Sequence, residues 1–575
     1  MMFLKKQLPS VVVLIATSLP AFQAAAFDPV NVEGSNATVR LSVLGTYRGG
    51  WFSKRTPTGP AYDPRTQRIF SGSVDRQNLE VLDISDPSNP NKINSIDLSS
   101  WIAPNRVAVS SEGIVAATTE SSSVLLFNAG GDLLADVNIP NGVDLAFTPD
   151  GQKLVVTVDR ATGAGNDESA VDIVDLSSAD WDACRLGAVG CNLTNPPIST
   201  ASFNVFNGQR AALIADGARF PTAGLTVAQD IVPEDVTVSS DSSTAWVALS
   251  DSNGIAEVDL QTAQITSIFG LGTKDNSLPG NGLDASDRDN AINIRTWPIK
   301  SFFNPDNVGV YETGGQTYLV TPNEGDARDP TKERLKNLLV DPASPVFGLQ
   351  GDADLGRLKV STVEGDTDGD GDLDEVFGYG GRSFAIWSTD GTQIFDSGDD
   401  FEQITAAALP NNFNTSEDET QRDTRSDDRG PEPESIDIGA IGGRQYAFIA
   451  FERISGVMVY DITDPNAPTF EQYINNRDFS VEPKDVCGSK GGLAAAGCDQ
   501  AGDLEPEGVL FISAADSPLG VPLVALGHEL SDSVTLYRID VVPEPATFVL
   551  SIVGLLGLVA YRRKRMQSLT ASRFP

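Results

Sequence analysis

Short segments in which apolar side chains alternate with polar ones recur along most of this chain, separated by turns such as Pro149-Asp150-Gly151, Thr389-Asp390-Gly391 and Gly442-Gly443. A period of two places successive side chains on opposite faces of a pleated strand, so each segment predicts a β-strand, and no long amphipathic helix interrupts them. One unit reads from Val236: strands over 236–239, 245–249, 255–260 and 264–269, each joined to the next by a turn. Four antiparallel strands of this kind make one blade of a β-propeller. The same order reappears from Arg106 and from Ser435, with weaker copies near Ala61, Val143 and Asn307. A last copy from Gly508 supplies only three strands, and the segment from Leu41 to Tyr47 is the predicted fourth. The pattern predicts an all-β, seven-bladed β-propeller over 27–541. Closing the ring with N- and C-terminal strands removes the free sheet edges that would pair with other chains.

The body is longer than such a ring needs, and the surplus falls at 160–170, 177–230, 270–304, 325–380, 399–432 and 475–504. In a four-stranded blade the loop after the second strand and the loop to the next blade open on the same face. These insertions fit those two places, with the position of 177–230 left open. One face is therefore heavily elaborated, and binding or chemistry is expected there.

The two ends read as addresses. Lys5 and Lys6 precede an apolar run from Leu8 to Phe22, and Ala24-Ala25-Ala26 offers small residues for a signal peptidase, so 1–26 is a predicted signal peptide cleaved after Ala26. At the other end Pro543-Glu544-Pro545 precedes an apolar stretch over 546–561 and then Arg562-Arg563-Lys564-Arg565, followed by a short tail over 566–575. The stretch is short beside the ~20 apolar residues of a full span, and its basic cluster would hold the end in the cytoplasm. The order and spacing of these three elements resemble the PEP-CTERM sorting signal of Gram-negative bacteria, over 542–565. That resemblance implies membrane attachment through the apolar helix, then removal by an exosortase and delivery of the body to the envelope, cell surface or exopolysaccharide.

Composition agrees with export. The formal charge is −38, and removing the two signal lysines and the five basic residues after Pro545 takes it to roughly −45. Nucleic acid is excluded as a partner by that charge, whereas cation binding and plain solvation both fit it. The four cysteines form two local pairs, Cys184 with Cys191 and Cys487 with Cys498. In an oxidising compartment these predict small loop-closing disulfides. Metal or thiol chemistry is the weaker reading, because the only histidine is His528.

Candidate chemistry lies in the acids. Pro233-Glu234, Pro305-Asp306, Pro433-Glu434 and Pro506-Glu507 stand just before predicted inner strands, and Glu120, Asp159, Asp251, Glu324, Glu452 and Glu529 close the second strands. Both sets point to the elaborated face. Clustered carboxylates repel unless a cation or arginine compensates, which predicts either Ca²⁺, with Glu234, Glu434 and Glu507 as ligands, or pairing with Arg160, Arg328 and Arg453. A turn device neutralised by arginine fits the same pattern equally well. The sharpest motif is Asp366-Thr367-Asp368-Gly369-Asp370-Gly371-Asp372-Leu373-Asp374-Glu375. Aspartates at its first, third and fifth positions with glycine at the sixth match the start of a Ca²⁺ loop, but Phe377 stands at the twelfth in place of glutamate. The expectation is a shorter Ca²⁺ loop using Asp366, Asp368, Asp370 and Asp374, stiffening the insertion. There is no nucleophile elbow, phosphate-cradling glycine loop or zinc-binding HExxH, and a lone His528 is more often structural.

The stretches LPGNGLDASDRD (278–289), INIRTWP (292–298), YLVTPNEGDARD (318–329), GRSFAIW (381–387), DSGDDFEQITA (396–406) and ISGVMVYDITDP (454–465) resemble the choice-of-anchor I family across nearly the whole mature chain. The resemblance implies a surface protein that pairs one propeller with an anchoring tail, in a family where some members are alkaline phosphatase-like and others are like a mesenchymal cell-surface glycoprotein. It implies no settled activity. The primary functional expectation is a non-catalytic protein binding envelope polysaccharide or a surface protein. The alternative is a Ca²⁺-dependent phosphoester hydrolase, alkaline phosphatase- or phytase-like. There Glu324 and Glu452 would serve on an acidic ring, with Arg328 or Arg453 stabilising transition-state charge. A buried Glu324 with a strongly raised pKa, or ordered ions near Glu434 and Glu507, would reverse that order.

Overall fold

The computed structural model describes residues 27–53, 58–160, 167–177, 196–326 and 330–542; Ala26 and the signal segment, Cys184, Cys191, Arg328 and the tail from Pro543, Glu544 and Pro545 onward lie outside them. The protein is an all-β propeller. Its four-stranded antiparallel sheets follow one another along the chain, each opening with the strand Thr58–Asp63, Pro104–Val109, Gly142–Phe147, Val236–Val238, Gly309–Thr313, Pro433–Ile441 or Pro506–Ile512. These opening strands contact one another in that order, and Pro506–Ile512 also lies against Thr58–Asp63.

The core sits between neighbouring sheets, because the second and third strands of each are largely buried on both faces. Val155 and Ile173 meet Val247 and Val258 across one such interface. Ile449 and Met458 meet Phe384 and Ile386 across another. Ile69 and Leu82 meet Leu523 and Leu536 where the last sheet lies on the first. Truncating a buried isoleucine, leucine or methionine among these to alanine removes ~2–5 kcal/mol.

The N-terminal segment joins the end of the chain. Val39–Arg48 pairs antiparallel with Ser533–Val541 as the fourth strand of the last sheet, from Val39 opposite Val541 to Arg48 opposite Ser533. A further strand, Val30–Glu33, adds a fifth member to the preceding sheet by pairing with Thr469–Asn475, and Val30 and Val32 pack on its core.

The insertion read as 177–230 is divided by Ile198–Ser202, which pairs with Ala170–Asp175 as a fourth strand. Its larger part therefore links two sheets, and its smaller part connects the third and fourth strands. The segments 271–308 and 323–383 combine into an extra mixed sheet of Thr273–Asp275, Lys300–Phe302, Phe377–Tyr379, Lys359–Ser361 and Lys332–Arg334. Arg219 ties this sheet to the segment before Val236, bonding Glu364 at 3.0 Å and stacking over Phe302 and Tyr379. Cys487 and Cys498 form a disulfide inside the last insertion, packed with Phe52, Leu504 and Leu530. Among the described residues no helix is long and apolar enough to cross a membrane.

Candidate functional site: an arginine-braced acidic face

The acids of the inner strands fall into two groups. In the first, each aspartate accepts a backbone N–H from the opening strand of the next sheet or the residue just before it: Asp144 from Val236 at 3.2 Å, Asp235 from Val308 at 2.8 Å, and Asp437 from Phe511 at 2.7 Å. These bonds pin neighbouring sheets together where a bare N–H would otherwise be left unsatisfied. Burial pushes Asp437 up to about 6 despite its two backbone donors. A cavity of about 200 Å³ lies between the opening strands here, lined by Asp235, Val308, Ile436 and Asp437 among others.

The second group comprises Glu234, Asp306, Glu434 and Glu507, brought from four different sheets toward Arg106, whose guanidinium they and Asp144 hold in its charged form. Arg106 lies 4.0 Å from Asp144. One arginine among so many carboxylates leaves negative charge uncompensated. Burial, then Asp306, Asp159 and Asp251, push Glu234 up to about 8, and burial pushes Asp306 up to about 6. Glu434 is raised by burial and by Asp306, Glu324 and Glu507, and its buried Oε2 has no hydrogen-bond partner. Such a group can bind a proton or a cation.

Above this ring stands a denser network. Glu432 accepts from Arg425 Nε on Oε1 at 2.7 Å, and on Oε2 from Arg429 at 2.8 Å and Arg453 at 3.1 Å. Burial would raise Glu432, but Arg429, Arg425 and Arg453 together hold it well below the usual carboxylate range. Arg453 also bonds Glu505 at 2.7 Å and Glu452 at 2.6 Å, and lies 3.4 Å from Glu417. Arg429 pairs with Glu324 as well. Carboxylate oxygens of Glu324, Glu432 and Glu452 lie within 4.8 Å of one another, all three residues buried. Burial raises Glu324 and Glu452 well above the ordinary value, opposed by Arg429 and Arg453 respectively. Three arginines thus bridge five glutamates brought in by three sheets and the insertion over 399–432.

The sequence-predicted residues separate accordingly. Glu324, Glu452 and Arg453 are brought together, Glu234, Glu434 and Glu507 lie in the ring below, and Arg328 is outside the described residues. Arg160 donates to the carbonyl of Glu168. His528 is buried, its pKa lowered by burial, with Nδ1 lacking a partner. In the aspartate loop, Asp366, Asp368 and Asp374 converge, while Asp370 belongs to neither close grouping; Asp372 instead meets Asp341 and Asp374. Asp370 turns to the N–H of Asp372. Desolvation, then Asp370 and Asp341, push Asp372 up to about 6.

A choice-of-anchor I domain model matches residues 59–465. The chain belongs to the choice-of-anchor I family. A PEP-CTERM protein-sorting motif follows at 541–565, so this choice-of-anchor I protein is exported to the cell surface and carries the motif through which exosortases process their substrates. It is 29% identical over 204 residues to Gigasin-3a of Magallana gigas, covering 34% of this chain and 69% of that one. It is 27% identical over 288 residues to the mesenchyme-specific cell surface glycoprotein of Strongylocentrotus purpuratus, covering 43% of this chain and 37% of that one. The β-propeller domain of Myceliophteria thermophila Cps50 (Swd1) superposes with a TM-score of 0.40 at 8% identity, covering 87% of this chain and 99% of that one.

Sequence reasoning missed the hub. In this choice-of-anchor I protein Asn304, Glu432 and Glu505 each stand immediately before a proline, each with positive φ (44°, 55° and 61°) and each fully buried. A left-handed non-glycine residue costs ~1–3 kcal/mol. Here the cost is offset by interior bonds, from Asn304 to the carbonyl of Ser250 and from the arginines to Glu432 and Glu505. The signal was present as a repeated Glu-Pro-Glu, at 432–434 and 505–507. The glutamate after the proline attracts notice as a turn residue, yet the one before it carries the network.

Proposed function

We propose that this choice-of-anchor I protein is a non-catalytic binding or scaffold protein of the Gram-negative envelope or its exopolysaccharide, built on seven blades closed into one ring. In this reading a signal peptidase removes 1–26. The apolar helix at 546–561 holds the chain in the membrane until an exosortase cuts near Pro543-Glu544-Pro545. The contact of Pro506–Ile512 with Thr58–Asp63 and the pairing of Val39–Arg48 with Ser533–Val541 support closure.

The observation that carries the binding reading is that the arginines of the face are already engaged by its own carboxylates. Arg453, which the hydrolase reading would direct at substrate, and Arg429 beside it are each held by several carboxylates of the protein itself. A phosphate would have to displace bonds already made in a buried setting and approach a face that stays net negative, whereas a rigid plate of arginine-bridged carboxylates suits a scaffold. Ca²⁺ at Asp366, Asp368 and Asp374, and at Asp341, Asp372 and Asp374, would stiffen the insertion, since clustered carboxylates repel until a hard cation accepts their oxygens.

One observation favours the alternative, a Ca²⁺-dependent phosphoester hydrolase: Glu324 and Glu452 are buried with raised pKa values and converge with Glu432. A carboxyl with a raised pKa is a common form of a general acid, but Arg429 and Arg453 already bond Glu324 and Glu452. The discriminating experiment is hydrolysis of a chromogenic phosphoester by the purified protein with Ca²⁺, with chelator and as Glu324→Gln, beside retention of the same protein on purified exopolysaccharide. Retention without turnover is expected. Turnover abolished by both chelator and Glu324→Gln would replace the binding reading with the hydrolase.

A further inference from the structure

On the face opposite the insertions, the short hairpins of two neighbouring sheets leave an open cleft of about 740 Å³. One wall comes from the sheet opening at Val236, with Ser239, Asp241, Ser243, Trp246 and Glu257; the other comes from the sheet opening at Gly309, with Glu312, Gln316, Thr317, Ser388 and Asp390. Its size falls within the range of small-ligand sites.

The lining is selective in its chemistry. It contains hydroxyls, carboxylates and an amide, and no lysine or arginine. Ser240 donates to Glu312 at 2.6 Å, joining the two sheets. Thr266 donates to Glu257 at 2.8 Å, fixing that carboxylate, and Glu257 stands opposite Trp246 in the register of adjacent strands. The decisive feature is Trp246. It is 4% exposed, it forms part of the cleft wall, and its buried Nε1–H has no hydrogen-bond partner. Trp387, in the same apolar cluster, donates its Nε1–H to Thr321 at 3.0 Å. A buried indole donor without an acceptor is costly, and such groups are normally satisfied.

From these features we infer that the cleft between these two sheets is a saccharide-binding site for neutral or amine-bearing sugars. Sugar hydroxyls or an ammonium donate to Asp241, Glu257, Glu312 and Asp390, an oxygen of the sugar accepts from Trp246 Nε1, and uronic or sulfated sugars are repelled by the uncompensated carboxylates. The site names the ligand class of the proposed binding role and rests on that reading, but it uses a face and residues separate from the arginine-braced network.

The test uses the purified exported protein with three tetrasaccharide probes, of glucosamine, N-acetylglucosamine and galacturonic acid, followed by saturation-transfer NMR and tryptophan fluorescence. Two variants accompany it: Trp246→Phe, which keeps the ring and removes the donor, and Glu312→Gln on the exposed rim. Binding of the first two probes and none of the third is expected, with affinity lowered about tenfold by Trp246→Phe, the scale of losing one buried hydrogen bond. Glu312→Gln is expected to weaken glucosamine more than N-acetylglucosamine. Circular dichroism checks that both variants fold. Saccharide binding unchanged in both variants would overturn the cleft while leaving the envelope-binding role standing. Binding of none of the probes would likewise overturn the cleft, and retention on whole exopolysaccharide then separately decides the broader role. Preference for galacturonic acid would also overturn it.

Discussion

Replacing Glu432 by glutamine tests whether the arginine network holds the elaborated face together. The two carboxylate oxygens receive different partners: Oε1 takes Arg425, and Oε2 takes Arg429 and Arg453. An amide of the same shape can offer its one oxygen to one side only, and its NH₂ then meets donors on the other. Glu432 is fully buried, so water cannot replace the lost acceptor. Breaking one partner of a buried charge pair costs ~3–5 kcal/mol, and that is the expected loss at pH 7 in urea unfolding followed by tryptophan fluorescence. The pH dependence has a definite sign. Because the arginines depress Glu432 in the folded state, its stabilisation is complete above the unfolded value near ~4.3 and is lost as pH falls toward the depressed folded value. The gap between wild type and Glu432→Gln should therefore be widest at neutral pH and narrow below about pH 4. A loss under ~1 kcal/mol at pH 7, or one undiminished at pH 3, would refute the network's role.

Glu434 behaves oppositely. Burial and neighbouring carboxylates raise it, so the folded state gains stability below the unfolded pKa and loses it as pH rises through the folded one. Glu434→Gln should then stabilise the protein by at least ~1 kcal/mol near pH 8 and by nothing near pH 4, as read from denaturation midpoints at the two pH values. Replacing Cys487 and Cys498 together by serine should remove ~3 kcal/mol, measured by the same unfolding assay; an unchanged midpoint would mean the disulfide only decorates its insertion. Asp374 belongs to both close aspartate groupings, so Asp374→Asn should abolish the Ca²⁺ binding heat seen by calorimetry and the protection Ca²⁺ gives residues 330–380 against protease. Binding retained in that variant would place the ion elsewhere.

The strands were legible where a short apolar run lay between turns, as in Thr244–Leu249 and Gly254–Asp259. It was silent where strands are short. Lys300–Phe302 and Phe377–Tyr379 are three residues each and pair in parallel from distant segments, so no local window contains both halves of the hydrogen-bonded unit. Val30–Glu33 is short too, and what makes it a strand is an open edge at Thr469–Asn475 near the other end of the chain. For the site, residue type pointed to the face but not to the partners. Arg429 and Arg425 lie in a loop whose composition resembles any solvated acidic stretch, and only the fold turns them toward Glu432. In the aspartate loop, spacing selected Asp370, but the backbone directs it to the N–H of Asp372, and Asp341 enters from an earlier turn.

The strand Val39–Arg48 is among the first of the mature body to cross the membrane, yet its partner, Ser533–Val541, is the last. During secretion the N-terminal strand must therefore wait, unpaired, for almost the whole chain to follow, and the long separation makes the final docking slow. In that interval the last sheet of one molecule can also accept the waiting strand of another, wherever the local protein concentration offsets the advantage of its own tethered strand. Crowded exit sites would then favour strand-exchanged dimers, and a chaperone that shields the leading segment would serve this protein more than one that guards its interior.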